Sequence, residues 1–319
     1  MPISPKAAYE QLSLALPALA LLTLSATAAH GQNYAASVVS SSLSSIAPYS
    51  DPRAVLGQPT TLFYDPGAFG DVPGTYHTSV VTPAFNTDPS GGPLLASLGG
   101  GTDSVIIKMA QPITHSDSHW YGDDFIVYGN ATFSGANATT GDYSVTPTTD
   151  MSQYLIDSYG IFQNGTPTIS VSADGIHFTL LQTSQTFFPE NPYSWVGISA
   201  ADSSGFGALN DFTKPVDPTL KVGDFVGQSV AFADNSLYHG SAGGQAFSLA
   251  GSGLSSIQYI QFTGMGNIDA VVGVSDAPAV NPVPEASSAL SLGVLALLGA
   301  GVLAARRGRK AVILTGKNQ

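Results

Sequence analysis

The sequence predicts an all-β protein: a single large β-sandwich over residues 32–276, preceded by a signal peptide and followed by a single transmembrane helix. Three observations predict it. Between residues 32 and 281, short β-branched and aromatic runs alternate with Gly, Pro, Asn and Asp, and no long amphipathic helical pattern appears. A charged n-region and an apolar h-region open the chain. Near the other end, an apolar run stops abruptly at a basic cluster.

The elements follow in order. Residues 1–11 carry Lys6, partly offset by Glu10, and residues 12–24 are apolar. The small residues of 25–31 then suit signal peptidase, with cleavage after Ala28, Ala29 or Gly31. In 104–109, Val105, Ile107 and Met109 share one face, and in 124–128 Phe125 and Val127 do. In 168–172, Ile169 and Val171 face inward while Thr168, Ser170 and Ser172 face outward. Asp174-Gly175 reads as a two-residue hairpin turn, which gives the next strand an inner row of Ile176, Phe178 and Leu180. Residues 258–263 and 268–274 form a second expected pair, linked by Gly264-Met265-Gly266-Asn267, with Ile268, Ala270, Val272 and Val274 lining the core. The Thr-, Ser-, Gly- and Asn-rich stretch 132–163 reads as a long surface insertion. Residues 277–284 read as a Pro-containing linker.

The apolar run, 289–305, has 17 residues. As a helix it is about 26 Å long, just short of a hydrocarbon core of roughly 30 Å. Arg306, Arg307, Arg309 and Lys310 hold its far end in the cytoplasm and leave 311–319 as a cytoplasmic tail. The domain before it is then periplasmic.

Composition excludes several function classes. Residues 32–281 hold 20 acidic and four basic residues (Arg53, Lys108, Lys214, Lys221), a net charge of −16 that repels nucleic acid and anionic lipid. The chain has no cysteine, so it has no disulfide, no thiolate metal site and no thiol nucleophile. No Gly-x-Ser-x-Gly elbow occurs, and Glu190 is the single glutamate of the domain, with no spacing that marks a glycosidase carboxylate pair.

Residues 282–310 carry a family resemblance. Val283-Pro284-Glu285, then the apolar run, then Arg306, Arg307 and Arg309 resemble the PEP-CTERM sorting signal of Gram-negative bacteria. The resemblance implies processing by an exosortase, often in association with exopolysaccharide. The same tail class occurs behind some ice-binding proteins, and it says nothing about what its cargo binds. A second resemblance spans about residues 54–276. Ser97-Leu98-Gly99-Gly100-Gly101, Gly122-Asp123-Asp124-Phe125-Ile126-Val127, Val171-Ser172-Ala173-Asp174-Gly175 and Ile268-Asp269-Ala270-Val271 occur in the order of a recurring bacterial surface domain. That group is similar to galactose-binding-like jelly rolls, and the likeness implies that topology here.

Candidate site residues are few. His115 and His119 are four apart but lack the His-Glu-x-x-His order of a zinc hydrolase, so a solvated loop competes with a metal site. Asp123, Asp124 and Asp269 lie in the matched motifs. Gathered at one rim of a sandwich, they would hold Ca²⁺ through oxygen, the one cofactor expected; turn and strand-end hydrogen bonding is the alternative. Trp120, Tyr121 and Trp195 offer flat apolar faces for sugar rings, or else pack in the core. The reading is a non-enzymatic exported surface or matrix protein, anchored in the inner membrane until processed. Its expected partners are signal peptidase, exosortase and exopolysaccharide. A carbohydrate-binding adhesin is the alternative, and a secreted hydrolase with an unrecognised site the second.

Overall fold

The computed structural model describes residues 33–46, 49–61, 94–141, 150–161, 165–182, 187–193 and 208–278. The chain divides into two compact units, Met1–Ser275 and Asp276–Gln319. The signal segment 1–31, Trp195, the Val283-Pro284-Glu285 segment, the apolar run and the arginines Arg306, Arg307 and Arg309 lie outside the described residues. Among the described residues, no helix is long and apolar enough to cross a membrane.

The fold is all-β. Among the described residues, ten strands run in chain order: β1 (Ala35–Ser42), β2 (Ala96–Thr114), β3 (Phe125–Tyr128), β4 (Ala131–Asn137), β5 (Tyr154–Ile161), β6 (Thr168–Ser172), β7 (Thr179–Gln182), β8 (Gln245–Phe247), β9 (Ser256–Ile268) and β10 (Ala270–Gly273). They form a five-stranded sheet ordered β1-β2-β9-β6-β7, a three-stranded sheet ordered β10-β3-β8, and the hairpin β4-β5. Every named pairing is antiparallel.

Period-two patterning positions the main core. Val105, Ile107 and Met109 of β2, Ile260 and Phe262 of β9, and Ile169 and Val171 of β6 are all buried, as their alternation predicts. They pack in one cluster with Phe125 and Val127 of β3, Phe247 of β8 and Val271 of β10. The Phe125 and Phe247 rings stack at 5.2 Å. The opposite side of β3 and β10 is covered as well: Ile126, Tyr128, Ala270, Val272 and Val274 pack with Phe212 and Ala242. All four residues of β3 are therefore fully buried.

The stretch read as a surface insertion, 132–163, is structured over its described residues, 132–141 and 150–161. It holds most of β4 and all of β5, whose Phe133, Tyr154 and Ile156 are buried. They pack against Phe225 and a helical segment, 230–238, through Val230 and Tyr238. Aromatic contacts build this second core: Phe225 stacks on Phe133 at 5.1 Å and meets Tyr238 edge-on at 5.3 Å.

Two expected hairpins are also corrected. The chain between β6 and β7, 173–178, is longer than a two-residue turn. Asp174 organises it, accepting from the Ile176 and His177 amides at 2.8 and 2.9 Å. Its carboxyl is held far below the usual range, first by the His177 ring and then by these amide bonds. The register slips as a result: Ile176 and Leu180 are exposed at 77% and 55%, and Leu181 packs on the core instead. Ser172, expected outside, is fully buried.

Residues 258–263 and 268–274 do not pair with each other. Gly264-Met265-Gly266-Asn267 continues β9, while β10 belongs to the other sheet. The β2–β9 ribbon changes register between Gly99 and Ser104. Gly100 (φ 110°) and Gly101 (φ 63°) lie on one strand of this kink and Gly264 (φ 96°) on the other, in conformations that favour glycine, and Gly266 (φ 150°) pairs with Leu98 beside it. Asp103 pins it. Its buried carboxylate accepts from the Ser44 amide (3.0 Å), the Ser44 hydroxyl (2.8 Å) and the Gly99 amide (2.7 Å). At the far end of the sheets the chain closes on itself: the Gly273 amide donates to the Asn33 carbonyl at 2.8 Å, and Tyr34 bridges Val272.

Asp103→Ala strips three donors of their acceptor at the kink. The expected outcome is a lowered urea midpoint at unchanged m-value.

Candidate functional site

Asp123, Asp124 and Asp269 do not converge. Asp124 immediately precedes β3, and Asp269 immediately precedes β10, which runs antiparallel to it. The Asp124 carbonyl accepts from Val274 and the Tyr128 carbonyl accepts from Asp269, so the two aspartates sit at opposite ends of the pair. Four strand residues separate those ends by roughly 13 Å. Among the described residues, no three of His, Cys, Asp and Glu gather as a metal-binding group. The expected calcium rim of Asp123, Asp124 and Asp269 is thus not assembled, because antiparallel pairing divides its members.

Asp124 instead ties three segments together. It is fully buried and accepts four hydrogen bonds: His115 Nδ1 (2.9 Å), His119 Nδ1 (3.0 Å), the Ser116 amide (3.1 Å) and the Leu249 amide (2.7 Å). The two histidines, read as either a solvated loop or a metal site, are brought together around a carboxylate. The Asp124 carboxylate raises the His115 pKa above its ordinary value. Asp123, half-buried beside that charge, is pushed up to about 6, first by desolvation and then by Asp124.

Trp120 and Tyr121 follow in the same loop. Trp120 is partly buried against the Ile126–Tyr128 cluster, with Lys214 Nζ 4.8 Å from its ring centre. Tyr121 is 47% exposed and adopts a left-handed backbone, φ 57° and ψ 12°. Of the two rings, Tyr121 is the one presented to solvent.

A further pair was not marked by sequence. Glu190 and Asp269 are 3% and 2% exposed, and their carboxyls stand side by side. Asp269 accepts from the Thr60 amide and hydroxyl, both at 2.6 Å. Burial, and then the Asp269 carboxyl, push the Glu190 pKa well above the carboxylate range; burial pushes Asp269 up to about 7. Segment 187–191 places Glu190 by pairing beside β8: Phe188 bridges Gly244, and the Asn191 amide donates to Ala242. Gly243 (φ 89°) permits this approach, since a Cβ there would run into the Pro189 carbonyl oxygen. The signal available in sequence was a single glutamate within an otherwise Asp-only acidic set, beside a Gly-Gly pair far along the chain.

No protein-family model matches this chain, and no curated protein matches it.

Asp123 carries a pH dependence. Its native carboxyl keeps its proton to about pH 6, whereas the unfolded chain releases it near pH 4. Stability from this group is therefore full below pH 4 and falls as pH rises towards 6. Asp123→Asn removes that loss. Relative to the parent chain, the variant should gain stability between pH 4 and pH 7, about 2 kcal/mol at most once solvent screening of this partly exposed group is allowed for, measured by chemical unfolding at both pH values.

Proposed function

We propose that this chain is a non-enzymatic exported protein whose domain is a β-sandwich of jelly-roll, galactose-binding-like type. A PEP-CTERM segment sorts it to the cell surface or matrix. The observation that carries this reading is the order of parts: a compact unit ends at Ser275, and the Pro-Glu segment, apolar run and arginine cluster follow it in sequence. The sandwich assignment is supported by one apolar cluster that takes side chains from both the five-stranded and the three-stranded sheet. A role in structure is supported by what the polar clusters do. Asp124 and Asp103 spend their oxygens on amides and side chains from distant segments, and Glu190 and Asp269 are sealed from solvent.

Tyr121 favours a second reading, binding of polysaccharide. It is a half-exposed ring on a loop held by Asp124, next to a Trp120 whose own face Lys214 covers. Under this reading Tyr121→Ala weakens retention on the producing strain's exopolysaccharide, and under the first it does not.

Sorting is tested by mass spectrometry of the surface fraction. The mature protein should yield peptides from the β domain and none from Arg306 onward. Intact C-terminal peptides on surface-displayed protein would overturn processing, and an inactive alkaline phosphatase fused after Asn281 would overturn export.

A further inference from the structure

Buried carboxylates in this fold are supplied with donors. Asp124 receives four, and Asp103 three. Asn191 Nδ2 donates to Asp234 at 2.6 Å. Glu190 breaks the pattern: both Oε atoms are sealed from solvent, and no N–H or O–H of the described residues donates to either. The group beside it is another carboxyl, Asp269, equally buried. Among the described residues, no lysine or arginine acts on either of them.

Two carboxylates side by side in a protein interior repel each other and forfeit their hydration. A single shared proton bridges one oxygen of each and leaves the second Glu190 oxygen with nothing. A divalent cation answers both deficits, because it balances two negative charges and accepts all four carboxylate oxygens. The donors present are hard oxygen: the Glu190 and Asp269 carboxylates, with the Thr60 hydroxyl already seated on Asp269. Nitrogen and sulfur ligands, which select zinc or copper, are missing from this set. Calcium suits paired bidentate carboxylates and irregular geometry better than magnesium, which demands a near-ideal octahedron.

We propose that Glu190 and Asp269 are the paired carboxylate ligands of a structural Ca²⁺ held between segment 187–191 and the start of β10. The ion would clamp Glu190, hung beside β8, to the strand on the far side of β3. Gly243 then serves the site indirectly, by letting the Glu190 backbone come close.

The test uses the full chain in detergent, stripped with chelator and dialysed into metal-free buffer. Calcium is added and followed by titration calorimetry and thermal unfolding. One Ca²⁺ should bind per chain, and calcium at about a hundredfold over its Kd should raise the unfolding midpoint by about 5–10 °C. Glu190→Gln and Asp269→Asn should each abolish the binding heat and the shift. In chelator, Glu190→Gln should unfold no lower than the parent chain, since it removes a carboxylate repulsion; this separates lost binding from lost folding. Three results would overturn the proposal: equal parent midpoints in chelator and calcium with no binding heat, a calcium shift that survives in folded Glu190→Gln, or a shift produced by magnesium and not by calcium.

Discussion

The rest of the structure depends on the burial of β3 on both faces. Phe125 and Val127 close the core shared with the five-stranded sheet, while Ile126 and Tyr128 close the core under Phe212. A strand of four residues with no exposed side chain can be placed only if both of its neighbours and both of its covers are in place. Its ends inherit that rigidity. Asp124 is fixed at one end and gathers His115, His119 and Leu249; Asp269 is fixed at the other by the Tyr128 carbonyl and meets Glu190. The polar chemistry of the domain is thus sited by its most apolar strand.

The sequence was legible where one face of a strand is wet. The alternation of Val105, Ile107 and Met109, and of Ile169 and Val171, named inward rows that are buried in the structure. It was less legible at 125–128, where a period-two reading recovered one core and not the second. β4 and β5 are hard to read because small and polar residues such as Thr132 and Gly135 occupy buried positions while Leu155 is exposed, and because their partner is the aromatic group around Phe225, far along the chain. The β7 register does not follow from the shortest turn. Asp174 makes enough local hydrogen bonds to hold a longer one, and the added residues shift every side chain that follows. Asp269 was singled out from its motif, but its partner was not. The contact with Glu190 exists only after β8 and β10 have both paired with β3, and no spacing in the chain encodes that.

A strongly acidic chain with few bases must accommodate most of its carboxylates without Lys or Arg partners; among the described residues Asp51 pairs with Arg53. The interior does so with amides, hydroxyls and histidines. Buried Asp103 and Asp124 each become a hub joining backbone segments that side-chain packing alone would leave loosely registered, and exposed Asp174 does the same within its own loop. Hydrogen bonds to charged acceptors are the stronger kind, and these fall at a ribbon kink, a strand end and a loop. In a domain without disulfides they take over much of the work of fixing loops.

The hydrogen bond between Gly273 and Asn33 has a mechanical consequence. The chain enters the first strand and leaves the last at the same point. Tension applied between those two places is carried first by this bond and by the Tyr34–Val272 bridge, not by the long β2–β9 ribbon. A pull across these few contacts opens them one after another, like a zipper, while the ribbon lies outside the direct line of force. The domain therefore has a weak seam at its entrance and a strong interior behind it. Under load the seam would part first, lengthening the chain by a few residues before the ribbon or the two cores are strained.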